Sequence, residues 1–553
     1  LDAGNLFFRE ILNINLAPAA KSGLDIKEFL KDFLADEMLL GKVEDARLIG
    51  MINDHSLQDK DQEKSADDIL KKDDGDYDML LVFGIELADG VQPTKSDISR
   101  LTRALNRRSA SRPVVLLTRY SDKLSFSAAE RGQYKREGQK GEKIGRISIL
   151  KDINLIAVHA GHERMLTKLK LSKTITSFTE LYNSWRNVFD LKILNTEFYA
   201  KVAEWYSRAI AEVKFPDEYY LALPENKDKK RNEVQEIANQ IACIRLLTRI
   251  IFVWFLKHKH RGQETLIPDK IFSKKYIDTI LNYSDKHKST YYKAVLQNLF
   301  FATFNTNIDS PQRSFSRKNF SDHQMPRFRY ESFFINPAKS VNELFSNIPF
   351  LNGGLFENLD MDHKTRIDWF SDPDLTKPGT SENKLVVPDN LFFGDSENEG
   401  LFDIFNKFYF TIEENTPLDQ EIALDPELLG KIFENLLAAY LPESKSSARR
   451  KTGSYYTPRE IVNYMVDESL ITYLLIRLHE AGETDKNKNE DKLRILFAYN
   501  SDSNPFGDNE KISDLIIKYL SEIKILDPAC GSGAFPMGML HQIVYALGKL
   551  DPG

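Results

Sequence analysis

Residues 525–535 read Ile-Leu-Asp-Pro-Ala-Cys-Gly-Ser-Gly-Ala-Phe, and they combine a carboxylate, a thiol and two glycines in one short stretch. A strand-like run, 523–526, leads into Asp527-Pro528. The chain then turns through Gly531 and Gly533 and enters a helix with Pro536 near its first turn. Met539, Leu540, Ile543, Val544 and Leu547 fall on one apolar face of that helix. Strand, glycine turn and helix N-terminus together make a small-ligand site at the carboxyl end of a strand in an α/β sheet. Glycine is required because a Cβ would block the ligand's approach to the backbone, and one turn residue needs a positive φ. Asp527 is a fixed negative acceptor, which suits an amino-bearing ligand better than a pyrophosphate.

A second string lies upstream. Residues 453–466 read Gly-Ser-Tyr-Tyr-Thr-Pro-Arg-Glu-Ile-Val-Asn-Tyr-Met-Val. Thr457 is an N-cap, Pro458 fits the first helical position, and Glu460 at the third completes a capping box. Val462, Val466, Leu470 and Leu474 form an inward stripe at intervals of four. Such a helix start presents backbone N–H groups to a carboxylate. The two strings resemble motif I and motif X of the amino-group DNA methyltransferases, in the order of the adenine-modifying subgroup. The resemblance implies S-adenosylmethionine as cofactor. Asp527 would hold its ammonium group, the backbone near Tyr455, Tyr456 and Thr457 its carboxylate, and Pro528, Ala529, Cys530, Gly531, Gly533 and Phe535 would line the loop.

The elements that must position these motifs span 553 residues, too many for one core, and the length suggests roughly three domains. A hydrophobic fraction of 42% and a charged fraction of 28% are those of a soluble globular chain. Two cysteines, Cys243 and Cys530, exclude a disulfide framework and a cysteine-based metal site, and fit a reducing cytoplasm. The longest apolar run, 250–256, is far too short to span a membrane and reads as a buried helix; no signal peptide is visible, and the first residue is Leu. A formal net charge of −7 argues against indiscriminate coating of nucleic acid but leaves room for local basic faces. Three candidates exist: Arg103, Arg107 and Arg108; Arg131, Lys135, Arg136, Lys140 and Lys143; and Lys445, Arg449, Arg450 and Lys451. The last leads directly into the second motif and is the best candidate DNA contact.

The expected fold is multidomain, α/β and mainly α. Residues 1–175 read as a small N-terminal α/β domain: amphipathic helices to about 50, a polar loop over 53–78, strand 79–87, helix 96–108, and strands 113–118, 124–129 and 144–150. Residues 176–440 read as a helical connector with long loops. Trp185, Tyr199, Trp205, Ile241, Leu246, Ile250 and Trp254 have core-like spacing, 289–306 forms a long helix, and 348–356 a turn closing on an apolar patch. Helix returns over 401–440, where Asp425 caps and Pro426 opens one. Residues 441–553 read as the start of a Rossmann-like methyltransferase domain with 523–526 as its central strand and 481–512 as an insertion loop.

Four further stretches widen the resemblance: 249–256, 291–302, 352–356 and 410–417. They are similar to the type IIG restriction–modification methylases, in which a helical connector joins an N-terminal domain to an adenine methyltransferase and a target-recognition domain. The resemblance implies double-stranded DNA as partner and a flipped adenine as acceptor. The sequence departs from the family at one point. The catalytic string of Asn or Asp, Pro, Pro and Tyr or Phe is absent; Asn336-Pro337 and Asn504-Pro505 continue as Ala-Lys and Phe-Gly. That string is expected beyond Gly553, so no catalytic residue is assigned on this chain.

Such enzymes often carry an N-terminal nuclease, which would need acidic residues for Mg²⁺ and a lysine near the attacking water. Asp78 and Glu86 flank a strand suitably, but Ala88 stands where the lysine belongs, and His159 and His162 complete no metal constellation. The expectation is a degenerate nuclease-like domain, with Mg²⁺ bound only if it is active. Two rival readings remain: a non-catalytic DNA- or partner-binding segment, and a methyltransferase acting on RNA or protein. The long connector and the N-terminal α/β domain favour DNA.

Overall fold

The structure, a computed structural model, describes residues 2–18, 26–31, 34, 37–57, 79–109, 112–133, 142–261, 264–283, 288–316, 325–351, 354–360, 366–370, 385–413, 419–424, 459–498, 504–528, 530 and 533–551. The chain divides into two compact units. One holds Leu1–Asn415 with Asp419–Leu429, and the other holds Gly430–Gly553 with Thr416–Leu418.

The first unit is built around a mixed six-stranded sheet. Its strands are β1 (Val43–Asn53), β2 (Met79–Leu87), β3 (Val114–Tyr120), β4 (Lys123–Gln133), β5 (Glu142–Asn154) and β6 (Asp419–Glu421), in that spatial order. Neighbours run antiparallel except β2 with β3 and β5 with β6. The β2–β3 crossover is helix α1 (Lys95–Arg108), whose N-cap Thr94 and Asp97 form a reciprocal capping box. Ile98, Leu101, Ala104 and Leu105 of α1 are buried against Phe83, Ile85, Val114, Leu116 and Ile149. Alternate residues face the other way, as the period of two requires: Phe126 packs its ring against Trp185 and Phe189 at 5.8 Å each.

Strands 79–87, 113–118, 124–129 and 144–150 and helix 96–108 form as expected, several with longer ends. The N-terminal fifty residues differ. They are not helical throughout, because β1 occupies their last part. Register shifts between Val43 and Asp45 and between Leu48 and Gly50 break its alternation, so buried Val43, Ala46 and Ile49 fall three apart and mimic a helix. The 53–78 loop lies largely outside the described residues.

Helices α2 (Ala160–Leu169), α3 (Phe178–Val188), α4 (Leu191–Glu212) and α5 (Arg231–Lys257) follow. Helix α5 is long and apolar enough to cross a membrane, yet 72% of its most apolar window is buried inside the protein. Trp185, Trp205, Leu246, Ile250 and Trp254 are core residues, whereas Tyr199 and Ile241 are only partly buried. The expected helix near 289–306 is a fully buried π-helical segment, Tyr292–Thr303. The stretches that carry the family resemblance meet here. Arg249 donates to the carbonyls of Leu355 (2.8 Å) and Glu357 (3.3 Å) and pairs with Asp368 at 3.3 Å, while Phe356 packs on Phe252, Phe300 and Phe304. Phe410 packs edge-on against Trp254 and Phe255. Asp425 and Pro426 lie outside the described residues.

Candidate cofactor site

Among its described residues the second unit is helical: α6 (Arg459–Glu480), α7 (Lys486–Phe497), α8 (Glu510–Glu522) and α9 (Ala534–Leu550). The stripe read from the sequence packs as expected. Val462, Val466, Leu470 and Leu474, with Leu478, are buried against Leu493, Leu496, Phe497, Phe506, Ile516, Leu520 and Ala546. Residues 481–512 are not an insertion loop. They include α7, capped by Asp485, and the start of α8, capped by Asn509. The stretch is polar because most of it faces water; Leu493, Leu496 and Phe497, spaced for one helical face, do the packing.

Two corrections fall on the glycine-loop motif. The run 523–526 forms no strand. Leu526 is 88% exposed and Ile525 46%, and no other strand occurs among the described residues of this unit to supply a hydrogen-bonded neighbour. The Rossmann-like sheet expected around it is therefore not formed among these residues. The apolar face of the following helix is also narrower than expected. Met539, Ile543 and Leu547 pack on the core, whereas Leu540 and Val544 are exposed.

Of the turn's two glycines, Gly533 lies among the described residues. Gly533 adopts φ +82°, the left-handed conformation that glycine takes without penalty, and serves as N-cap of α9. Its N–H donates to the Cys530 carbonyl at 2.7 Å, and its own carbonyl accepts from Met537 at 3.0 Å. Asp527 is half-buried, and Pro528 and Cys530 are exposed. Tyr455, Tyr456, Thr457, Ala529 and Gly531 lie outside the described residues, as do Lys445, Arg449, Arg450 and Lys451.

What the structure brings together is the helices these motifs lead into. A Cβ on Gly538 would lie 2.8 Å from Val462 Cγ1 and 3.3 Å from Val466 Cγ2, so α9 sits directly on the first turns of α6. One turn further along both helices, Gln542 donates to Asp467 Oδ1 at 2.8 Å and to the Phe497 carbonyl at 2.8 Å. Sequence rises in the same direction along both contacts, so α6 and α9 run parallel with their N-termini at one end. Two parallel dipoles then point their positive ends the same way, which favours an anionic group there. At the far end, Lys549 donates to the carbonyls of Leu496 (2.8 Å) and Ala498 (2.7 Å), capping α7. Burial raises the Asp467 carboxyl to about 6, with Glu468 adding to the effect. Sequence reasoning missed Gly538, Gln542, Asp467 and Lys549; an isolated glycine inside a helical pattern was the one available sign.

The other sequence candidates are dispersed. Glu86 is exposed on β2 and pairs with Arg119, its register neighbour on β3, at 3.4 Å; Asp78 lies outside the described residues. Among the described residues no group of three or more His, Cys, Asp or Glu side chains is placed to hold a metal. His159 caps α2 by accepting from Gly161 N–H at 3.0 Å, and His162 is buried 4.0 Å from the Tyr409 ring, where burial lowers it to about 3. Arg107 is exposed on α1 and Arg103 half-buried, while the side chains of Arg108 and of the 131–143 cluster lie outside the described residues.

No family model and no solved structure matches the chain. A protein of Methanocaldococcus jannaschii, provisionally named a type II restriction enzyme and methyltransferase, is 25% identical over 316 residues, which cover 56% of this chain. The chain is therefore similar, over a little more than half its length, to a protein so named. It spans about a fifth of that methyltransferase relative, 21% of whose length is matched.

Proposed function

We propose that this chain binds S-adenosylmethionine on its second unit and serves a type IIG restriction–modification or phage-defence system that methylates adenine N6 in double-stranded DNA. The observation that carries this reading is the side-by-side, parallel start of α6 and α9, each preceded in sequence by a cofactor motif. The residues present fit the cofactor. The helix N-termini favour its carboxylate, Asp527 complements its ammonium group, and the left-handed Gly533 lets the backbone come close. When bound, the cofactor supplies an electrophilic methyl group. The chain's own residues orient it; no Asn/Asp-Pro-Pro-Tyr/Phe string occurs in the 553 residues, so none is assigned to the transfer step.

Lys445, Arg449, Arg450 and Lys451 are proposed to contact DNA phosphates, and a cytoplasmic location follows from that role. We assign no nuclease chemistry to Glu86, which is spent on Arg119 and has Ala88 two positions on.

The test is equilibrium dialysis of the full chain with tritiated S-adenosylmethionine. Binding is expected, and Asp527→Ala is expected to weaken it at least about tenfold, the equivalent of a lost charge-assisted contact worth roughly 1.4 kcal/mol. Absence of binding at millimolar cofactor would refute the reading.

A further inference from the structure

The cofactor motifs do not hold themselves in place; they ride on α6 and α9. Gly538 is the fifth residue of α9, about 6 Å along the axis from Ala534 at 1.5 Å per residue. Val462 stands similarly close to the first residue of α6, Arg459. A change in separation at this contact is therefore passed almost undiminished to the ends from which the two motifs emerge.

Glycine inside a helix is unfavourable relative to alanine, so its use here calls for a steric reason. The reason is the 2.8 Å that would separate a Cβ from Val462 Cγ1. Valine is stiff about χ1 and Val462 is buried in the core, so it has little room to withdraw. Gly548 in the same helix gives the contrast: a Cβ there would meet nothing within 4 Å. The Gln542–Asp467 hydrogen bond one turn below fixes rotation and sliding, which leaves the Gly538 contact to set the distance.

We propose that Gly538 is a positioning residue for cofactor binding: its bare backbone lets α9 close onto Val462 and Val466 and so sets the spacing between the two cofactor motifs. The inference rests on the functional reading above. A Cβ at this position would push the helices apart by roughly 1 Å, the scale at which a binding constellation is lost.

The experiment compares Gly538→Ala, Gly538→Ala with Val462→Ala, and Gly548→Ala in the full chain, by tritiated S-adenosylmethionine binding and by amide hydrogen exchange. Alanine is the better helix former, so a loss at position 538 cannot come from propensity. Gly538→Ala is expected to weaken binding about tenfold and to speed exchange at the hydrogen-bonded amides that follow the first turns, residues 463–467 and 537–542. Val462→Ala, which removes the opposing methyl, is expected to restore affinity to within about threefold and to slow exchange again, and Gly548→Ala to change neither. Unaltered binding in Gly538→Ala, an equal loss in Gly548→Ala, or no rescue by Val462→Ala would overturn the proposal. If the unmodified chain binds no cofactor, the functional reading fails by itself. The spacing role is then decided by hydrogen exchange alone, and unchanged exchange in Gly538→Ala overturns it.

Discussion

The two units are held together by different means. In the first, aromatic rings interlock around Trp254: Phe272, Phe402, Phe405 and Phe410 lie with ring centroids 5.1 to 6.1 Å from it, and Phe198 and Tyr291 extend the cluster. In the second, no ring pairs with another among the described residues. An aliphatic stripe on α6 meets α7, α8 and α9, and side chains of α9 fasten the end of α7. Large rings distribute packing over many neighbours, so the first unit depends on shape. The second depends on a few exact reaches, a glycine against a valine and a lysine against a helix end. The second design suits the cofactor role proposed above, because few contacts fix the separation of α6 and α9.

Breaking the first arrangement should have the largest effect. Trp254→Ala, at a residue 2% exposed, is expected to cost about 3–5 kcal/mol. The loss should appear as faster hydrogen exchange throughout the first unit and none in 459–551. Exchange rising equally in both would show that the two units do not differ in this way.

The next largest effect is on pH dependence, again in the first unit. Burial raises the Glu421 carboxyl to about 7, against the pull of Lys151 and Lys95. The sign follows from the raised value. The folded protein keeps this proton where the unfolded chain has lost it, so the stabilisation is complete below the ordinary carboxylate range and disappears as pH rises through about 7. At about 1.4 kcal/mol per unit, up to about 3 kcal/mol is at stake. Denaturant unfolding should show lower stability at pH 8 than at pH 5. Glu421→Gln, which keeps the acceptor for Thr411 (2.9 Å), should remove that part of the difference. A slope unchanged by the substitution would count against the assignment.

The smallest effect sharpens the account of the second unit. Lys549→Met keeps the side chain's length but abandons the Leu496 and Ala498 carbonyls, for an expected loss of about 2 kcal/mol. Exchange should quicken at the C-terminal turn of α7 first. If it quickens at α8 instead, the clasp is not what holds α7.

The same contrast explains what could be read in the sequence. Strands 79–87 and 114–120 each open on an unbroken apolar run, 79–83 and 114–117, and announce themselves, as do the Asp-Pro-Ala-Cys-Gly-Ser-Gly string and the stripe on α6. Strand β6 could not be found that way. Its three residues, Asp419, Gln420 and Glu421, are all polar and all buried. Their burial is made possible by Lys95 near Asp419, by Arg146 and Ser148 bonded to Gln420, and by Thr411 bonded to Glu421. Some of those partners lie nearly three hundred residues away. Conversely, 523–526 has strand composition but no ladder partner among the described residues, and composition alone does not supply one. Gly538 and Lys549 act across helices, and pattern along one helix is blind to that.

Strand β6 also has a consequence in time. The sheet edge at β5 is completed by a segment that leaves the ribosome roughly 265 residues after Asn154. At about 5–20 residues per second, that edge waits about 15–50 s for its partner. A nascent chain halted within the connector would carry an open, hydrogen-bond-hungry strand, ready to pair with its neighbours on the same message.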